Sequence, residues 1–289
     1  MMKIVTLVML CFGLGAWACK TPTAVGPEVP ADYEAQLAAW RQDRLASLTE
    51  PAGWLSMVGL FWLKEGDNPC GSGAYQGVTL PPTAPAYVGK YTLREGVVTC
   101  EISTGNEVRA DSDDACAMSW GSLRWYLLER GGRYGVRVQD TLLPSRIRLR
   151  AIENFPTDVS YRVVAQWEKS NTTDSVLMRN VLDMEYPVPV AGKLRFTLAN
   201  RQHELVALDG GPEELFLIFS DQTTGDSTYG GGRYLYCPRP DAKGQTIIDF
   251  NRAYNPPCAF TQFATCLLPR AENGLPVPVL AGEKTYGDH

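Results

Sequence analysis

Apolar positions along this chain follow two rhythms. One short stretch repeats with the period of a helix, and most of the rest alternates or clusters as strands do. After Asp32, Tyr33, Leu37, Trp40, Arg44 with Leu45, and Leu48 recur at helical spacing, with Pro51 as the stop. Asp32 can cap the start, so the pattern predicts one amphipathic helix packed across the body. Gly53 to Leu63 is nearly continuous apolar and reads as a buried strand, closed by a turn over Lys64 to Pro69. Tyr87–Leu93 and Val97–Ser103 are expected to pair around Arg94-Glu95-Gly96. Leu123–Glu129 and Tyr134–Gln139 carry the same hairpin signal around Gly131-Gly132. Further strands are expected at Arg146–Ile152, Tyr161–Trp167, Ser175–Leu182, Lys193–Leu198 with Glu204–Leu208, Leu215–Phe219, Arg233–Cys237 and Thr246–Phe250. So many short strands beside one helix predict a mainly β fold, an antiparallel β-sandwich or partly open barrel with one N-terminal amphipathic helix. No repeat or interdomain linker interrupts the pattern, so 32–289 reads as a single β-rich domain.

The N-terminus sets an expected compartment. Lys3 precedes the apolar run Ile4 to Ala16, which is too short to span a bilayer and is flanked as a signal peptide is, over 1–18. Ala16-Trp17-Ala18-Cys19 resembles a bacterial lipobox, in which Cys19 is acylated and anchors the protein to a membrane. The other reading is ordinary cleavage after small residues, giving a soluble periplasmic or secreted protein. The stretch 19–31 is rich in Pro, Thr and Val without a period and suits a tether. An exported protein, lipid-anchored in the bacterial cell envelope, is the expectation. Net charge is −5 with basic residues dispersed, so no electrostatic footprint for nucleic acid is present.

The chemistry begins with a scarcity. The chain has two histidines, His203 and His289, which argues against a Ser-His-Asp or Cys-His device and against a His-based zinc site. His203 lies in Asn200-Arg201-Gln202-His203-Glu204 and reads as an exposed hairpin tip. There is no G-x-S-x-G elbow and no P-loop, so no cofactor is expected. Six cysteines follow Cys19, with no C-x-x-C pair to start a metal site. Gly230-Gly231-Gly232 before Arg233 could form an anion-binding concavity, or simply a tight approach between strands.

The densest segment is Asp249 to Cys266, DFNRAYNPPCAFTQFATC. Proline fixes φ and restricts the residue before it, so Asn255-Pro256-Pro257-Cys258 should form a stiff extended corner. Cys258 could pair with Cys266 across that corner, stay buried and inert, or serve as a reactive thiol activated by Arg252 or Arg233.

These residues carry a resemblance. Gly53-Trp54-Leu55-Ser56-Met57-Val58-Gly59-Leu60, Gly135 to Asp140, Thr228 to Leu235, Asp249 to Phe260 with Thr265-Cys266, and Ala281-Gly282-Glu283-Lys284 together resemble the bacterial and archaeal family catalogued as domain of unknown function 1684. The likeness runs from the predicted helix to Lys284, and Leu267 departs from the proline common after the second cysteine. It implies one-domain architecture and a candidate surface, with no activity attached.

Recurring polar residues in these motifs are the candidate site. Arg137, Arg233, Asn251, Tyr254 and Asn255 would bind ligand, and Asp249, Cys258 or Glu283 would be the catalytic group if there is one. The competing account has Arg137 and Arg233 neutralised inside the fold by Asp140, Asp221 or Asp249. The expected function is a polar pocket for a small anionic or carbohydrate-like ligand, with a hydrolase or transferase at the same corner as the alternative. Either requires the double-proline corner to meet Arg233.

Overall fold

The computed structural model describes residues 27–74, 76–103, 109–110, 116–147, 151–171 and 174–287. The apolar run at 4–16, Cys19, most of the tether and His289 lie outside them. Among the described residues no helix is long and apolar enough to cross a membrane.

The expected helix runs Tyr33–Thr49 and buries Tyr33, Leu37 and Leu48. Asp32 makes no side-chain bond to the backbone at its start; its carboxylate accepts instead from Gln36 Nε2 at 2.9 Å. A turn of 3-10 helix, Trp54–Ser56, then leads into the strand Met57–Trp62.

Three sheets follow, nearly all antiparallel. The first has the order Met57–Trp62, Arg133–Asp140, Leu123–Arg130, Met118–Trp120, Arg109–Ala110. The second has the order Val78–Thr79, Gly66–Gly71, Gly89–Arg94, Val97–Ile102. One apolar cluster, including Val88, Tyr91, Leu123, Trp125, Val136 and Val138, draws on both. The hairpins turn at Glu95-Gly96 (φ 51° and 79°) and Gly131-Gly132 (φ 56° and 74°). Two successive positive φ values match the twist of the flanking strands, which is why both were visible in the sequence.

The third sheet has the order Arg233–Pro238, Glu214–Phe219, Arg201–Asp209, Glu185–Leu198, Arg162–Lys169, Gln245–Asp249, with Ser175–Arg179 paired to the start of the long fourth strand. Its first and last strands come side by side, so the sheet is a nearly closed barrel. Leu194, Phe196 and Leu198 point inward and are buried, while Arg195 and Thr197 between them are exposed. That alternation fills the barrel with Leu205, Leu217, Phe219, Leu235, Ile248 and Phe250. The segment from Leu275 to Ala281 joins this core without being a strand. Leu275, Val277, Val279 and Ala281 are buried, and Pro276, Pro278 and Leu280 between them are exposed. It delivers Glu283 to the barrel.

Three expectations change. Gly66–Gly71 is a strand where a turn was expected; Pro69 is tolerated because the flanking Val78–Thr79 pairs only Cys70 and Gly71. Arg146 ends a short helix, Leu143–Arg146, and 148–150 lie outside the described residues. The hairpin tip near His203 is Ala199-Asn200, with φ of 49° and 59°. His203 therefore sits in the strand opposite Phe196, buried, with its Nε2 3.1 Å from the Leu198 carbonyl oxygen.

Candidate functional site

The double-proline corner and the strand beginning at Arg233 do meet. Tyr234 and Tyr254 exchange backbone hydrogen bonds, each 2.9 Å, and form an isolated bridge. Arg233 itself turns inward and is fully buried. Its Nη2 donates to Asp221 at 2.7 Å and to the Val279 carbonyl at 2.9 Å, and its Nη1 donates to the Ala281 carbonyl. Burial pulls the guanidinium below its usual pKa, against the opposing pull of Asp221. The expectation of Arg233 as a ligand-binding residue is overturned: it ties the C-terminal segment into the barrel. The triple glycine serves the same packing. Gly232 has φ of 78°, and a Cβ there would lie 2.7 Å from the Phe219 carbonyl oxygen.

Cys258 is also corrected. It forms a disulfide with Cys266, with Cα atoms 6.1 Å apart, so no thiolate exists to act as nucleophile. The thiols of Cys70 and Cys237 are buried and pushed up to about 12, which leaves them inert.

Asp249 and Asn251 belong to the joint between barrel and helix. Both Asp249 oxygens accept from the Tyr33 hydroxyl at 3.0 Å, and Arg162 Nε lies 3.4 Å away. Asn251 bonds the Asp158 backbone through both ends of its amide, at 3.1 and 2.9 Å. These contacts are scaffolding. Tyr254 lies under Arg44, whose Cζ is 4.7 Å from the ring centroid, and near Trp40. Arg137 belongs to the first sheet. Its Cζ rests 5.1 Å from the Trp54 ring and its Nη1 is 3.5 Å from the Tyr126 hydroxyl, contacts that Arg233 does not share.

Glu283 stands apart from the rest. It is 2% exposed, yet it borders a cavity of about 210 Å³. Its Oε2 accepts from the Asn255 backbone N–H at 2.7 Å, and its Oε1 lies 3.3 Å from Arg44 Nε. Arg44 Nη2 also donates to the Asn255 carbonyl at 2.8 Å. Burial pushes the Glu283 carboxyl above the usual carboxylate range, opposed by Arg44 and by the Asn255 N–H. Across the cavity the helix contributes Arg41 and Gln42, and the segment ahead of the barrel contributes Ile152 and Asn154. Arg41 Nε and Nη2 are buried without a hydrogen-bond partner among the described residues, as is Asn154 Oδ1.

Arg41 was not among the sequence candidates. The signal was available, because Arg41 and Arg44 lie one turn apart beside the apolar stripe of the helix. The wall opposite is non-local and could not be read. Among the described residues no group of three or more His, Cys, Asp or Glu could hold a metal ion.

A family model described as "Protein of unknown function (DUF1684)" matches residues 148–284, which spans the barrel and the C-terminal segment but not the helix. A search of the curated proteins returns no match. Among solved structures, the chain is similar to an uncharacterised protein of Haloarcula marismortui determined by solution NMR. The two are 31% identical with a TM-score of 0.41, over 50% of this chain and 81% of that one.

Proposed function

The chain belongs to the DUF1684 family, whose name assigns no activity, and we propose that it is a binding module that takes a small anion, a carboxylate or phosphate group, between Arg41 and Glu283. One observation carries this reading: two guanidinium nitrogens of Arg41 are buried against the cavity with no acceptor among the described residues. A buried donor without a partner costs about 1–3 kcal/mol, more when charged, and an anionic oxygen placed there removes that cost. The volume, about 210 Å³, suits a group of a few heavy atoms and is below the ~300 Å³ at which drug-sized pockets begin. Both Glu283 oxygens are already held, Oε2 by the Asn255 N–H and Oε1 by Arg44, so Glu283 closes the opposite wall and Arg41 supplies the charge that meets the anion. The described lining holds no hydroxyl, thiol or imidazole, which favours binding over covalent chemistry.

The lipid anchor completes the proposal. The small residues before Cys19 and the tether after it support an envelope lipoprotein held on the membrane through Cys19. The Cys258–Cys266 disulfide accords with an oxidising compartment.

The test of the site is thermal unfolding in inorganic phosphate or acetate against chloride at matched ionic strength. The wild type should gain stability from one of the two anions, and Arg41→Gln should lose that gain while keeping its fold. No gain in the wild type, or the same gain in the variant, overturns the assignment. The anchor is tested separately: Cys19→Ala should release the protein from the membrane fraction, and its retention there would refute acylation.

A further inference from the structure

A second cavity lies on the other side of the double-proline corner. It is a cleft of about 510 Å³ between the Gly131-Gly132 hairpin of the first sheet and the disulfide-bearing corner of the barrel. This is within the ~300–1,000 Å³ range of small-molecule sites. Trp54, Tyr186 and Tyr234 contribute aromatic wall, and Glu129 and Arg130 stand exposed at the turn. We propose that this cleft binds a pyranose ring of an oligosaccharide, stacked on its aromatic walls with its hydroxyl groups turned toward Glu129 and Arg130. The inference is independent of the anion site, which uses other residues on other elements.

Three observations select this class of ligand. A pyranose is amphipathic in the same sense as the cleft: it has an apolar C–H face and a polar hydroxyl edge. Rings of Trp and Tyr offer large apolar area for the first. The Glu129 carboxylate has no hydrogen-bond or ion-pair partner among the described residues, so it is available to accept from hydroxyl groups. An entirely apolar ligand would bury against these charges and leave them unsatisfied.

The strand edge argues against a peptide added as a further strand. Tyr186 and Val188 lie in Glu185–Leu198, where Pro187 and Pro189 remove alternate N–H donors that an added strand would need.

The walls are also held in place. Arg137 is 4% exposed and has no carboxylate partner among the described residues, and its guanidinium lies 5.1 Å from the Trp54 ring. A cation against that ring fixes Trp54 at the cleft. Tyr234 is anchored through its hydroxyl, which donates to the Leu267 carbonyl at 2.9 Å. The Cys258–Cys266 disulfide keeps Pro257 and Cys266 along one side.

The experiment uses the full mature chain with two probes, triacetylchitotriose and cellotriose. Ligand-detected saturation-transfer NMR reports contact, and a titration followed by tryptophan fluorescence gives affinity. At least one sugar should receive saturation, strongest at ring protons. Tyr186→Ala should weaken it about tenfold, the loss of roughly 1.4 kcal/mol of stacking. Glu129→Gln, an exposed change that leaves folding intact, should weaken it several-fold. Arg41→Gln should leave sugar affinity unchanged. The proposal is overturned if neither sugar receives saturation, or if Tyr186→Ala and Glu129→Gln both bind as the wild type does.

Discussion

Arg44 and Glu283 are 239 positions apart in sequence and meet at 3.3 Å, with Arg44 Nη2 reaching on to the Asn255 carbonyl. One residue belongs to the N-terminal helix and the other to the end of the C-terminal segment. The two are 13% and 2% exposed, so the ion pair is shielded from water on both sides. It also orders the proposed anion site, because Glu283 is one wall of that cavity and Arg41 is another.

Removing Arg44 should therefore be expensive. Breaking a buried pair costs about 3–5 kcal/mol, because the remaining charge is left uncompensated. Arg44→Ala is expected near the low end, about 3 kcal/mol, since Glu283 can take up a proton once its partner is gone. Urea denaturation with an unchanged m-value would measure it; a loss under about 0.5 kcal/mol would mean that the pair behaves as an exposed one.

The Arg233 knot should tolerate no conservative change. Lysine keeps the charge but cannot reach Asp221, Val279 and Ala281 together, because its donors radiate from one nitrogen. Arg233→Lys is expected to lose about 3 kcal/mol, with the C-terminal segment as the first region to exchange its amide hydrogens. Equal protection of Val277, Val279 and Ala281 in both proteins would contradict this.

The disulfide closes a short loop, and its contribution follows from length. With a separation of 8 residues, the chain-entropy relation gives about 2.5 kcal/mol. Cys258→Ser/Cys266→Ser should lower the unfolding free energy by about that amount. Alkylation of the unreduced native protein should leave Cys258 and Cys266 unmodified in the mass spectrum, whereas labelling of Cys258 would restore the thiol reading.

Glu283 should leave a signature in the pH dependence of stability. Its folded pKa lies above its unfolded value, so between the two the native state holds a proton that the unfolded chain has released. Stability from this group is then greatest below the ordinary carboxylate pKa, about 4.3, and declines as pH rises through the raised value. Glu283→Gln should remove that decline, which the difference between the two stability curves isolates from other carboxylates. Parallel curves across the acid range would show that burial does not shift the group. The same linkage predicts that phosphate, which stays anionic in this window, binds more tightly as pH falls through it.

Much of the architecture was legible because its signals are local. Two-residue turns with glycine, the helical spacing from Tyr33 to Leu48 and the alternation of Lys193 to Leu198 each report a backbone geometry within a few residues. His203 was misplaced by a small error with a large consequence: the tip lies at Ala199-Asn200, and the strand that follows turns this ring inward. The site was less legible, since polar residues look alike in sequence whether they are tied or open. Both Arg233 Nη atoms are satisfied by Asp221, Val279 and Ala281, whereas Nε and Nη2 of Arg41 find no acceptor among the described residues, and only the folded chain separates those cases.

The helix that docks through Tyr33 and Arg44 follows the proposed tether directly in sequence. Tension applied to the N-terminus would load in turn the Glu28–Arg162, Tyr33–Asp249 and Arg44–Glu283 contacts that join this end of the chain to the barrel. A pull strong enough to slide the helix would carry Arg41 away from Glu283 and take the proposed anion site apart. Residues 148–284 by themselves lack that half of the cavity, so a protein cut to this stretch should lose the anion binding proposed for the full chain.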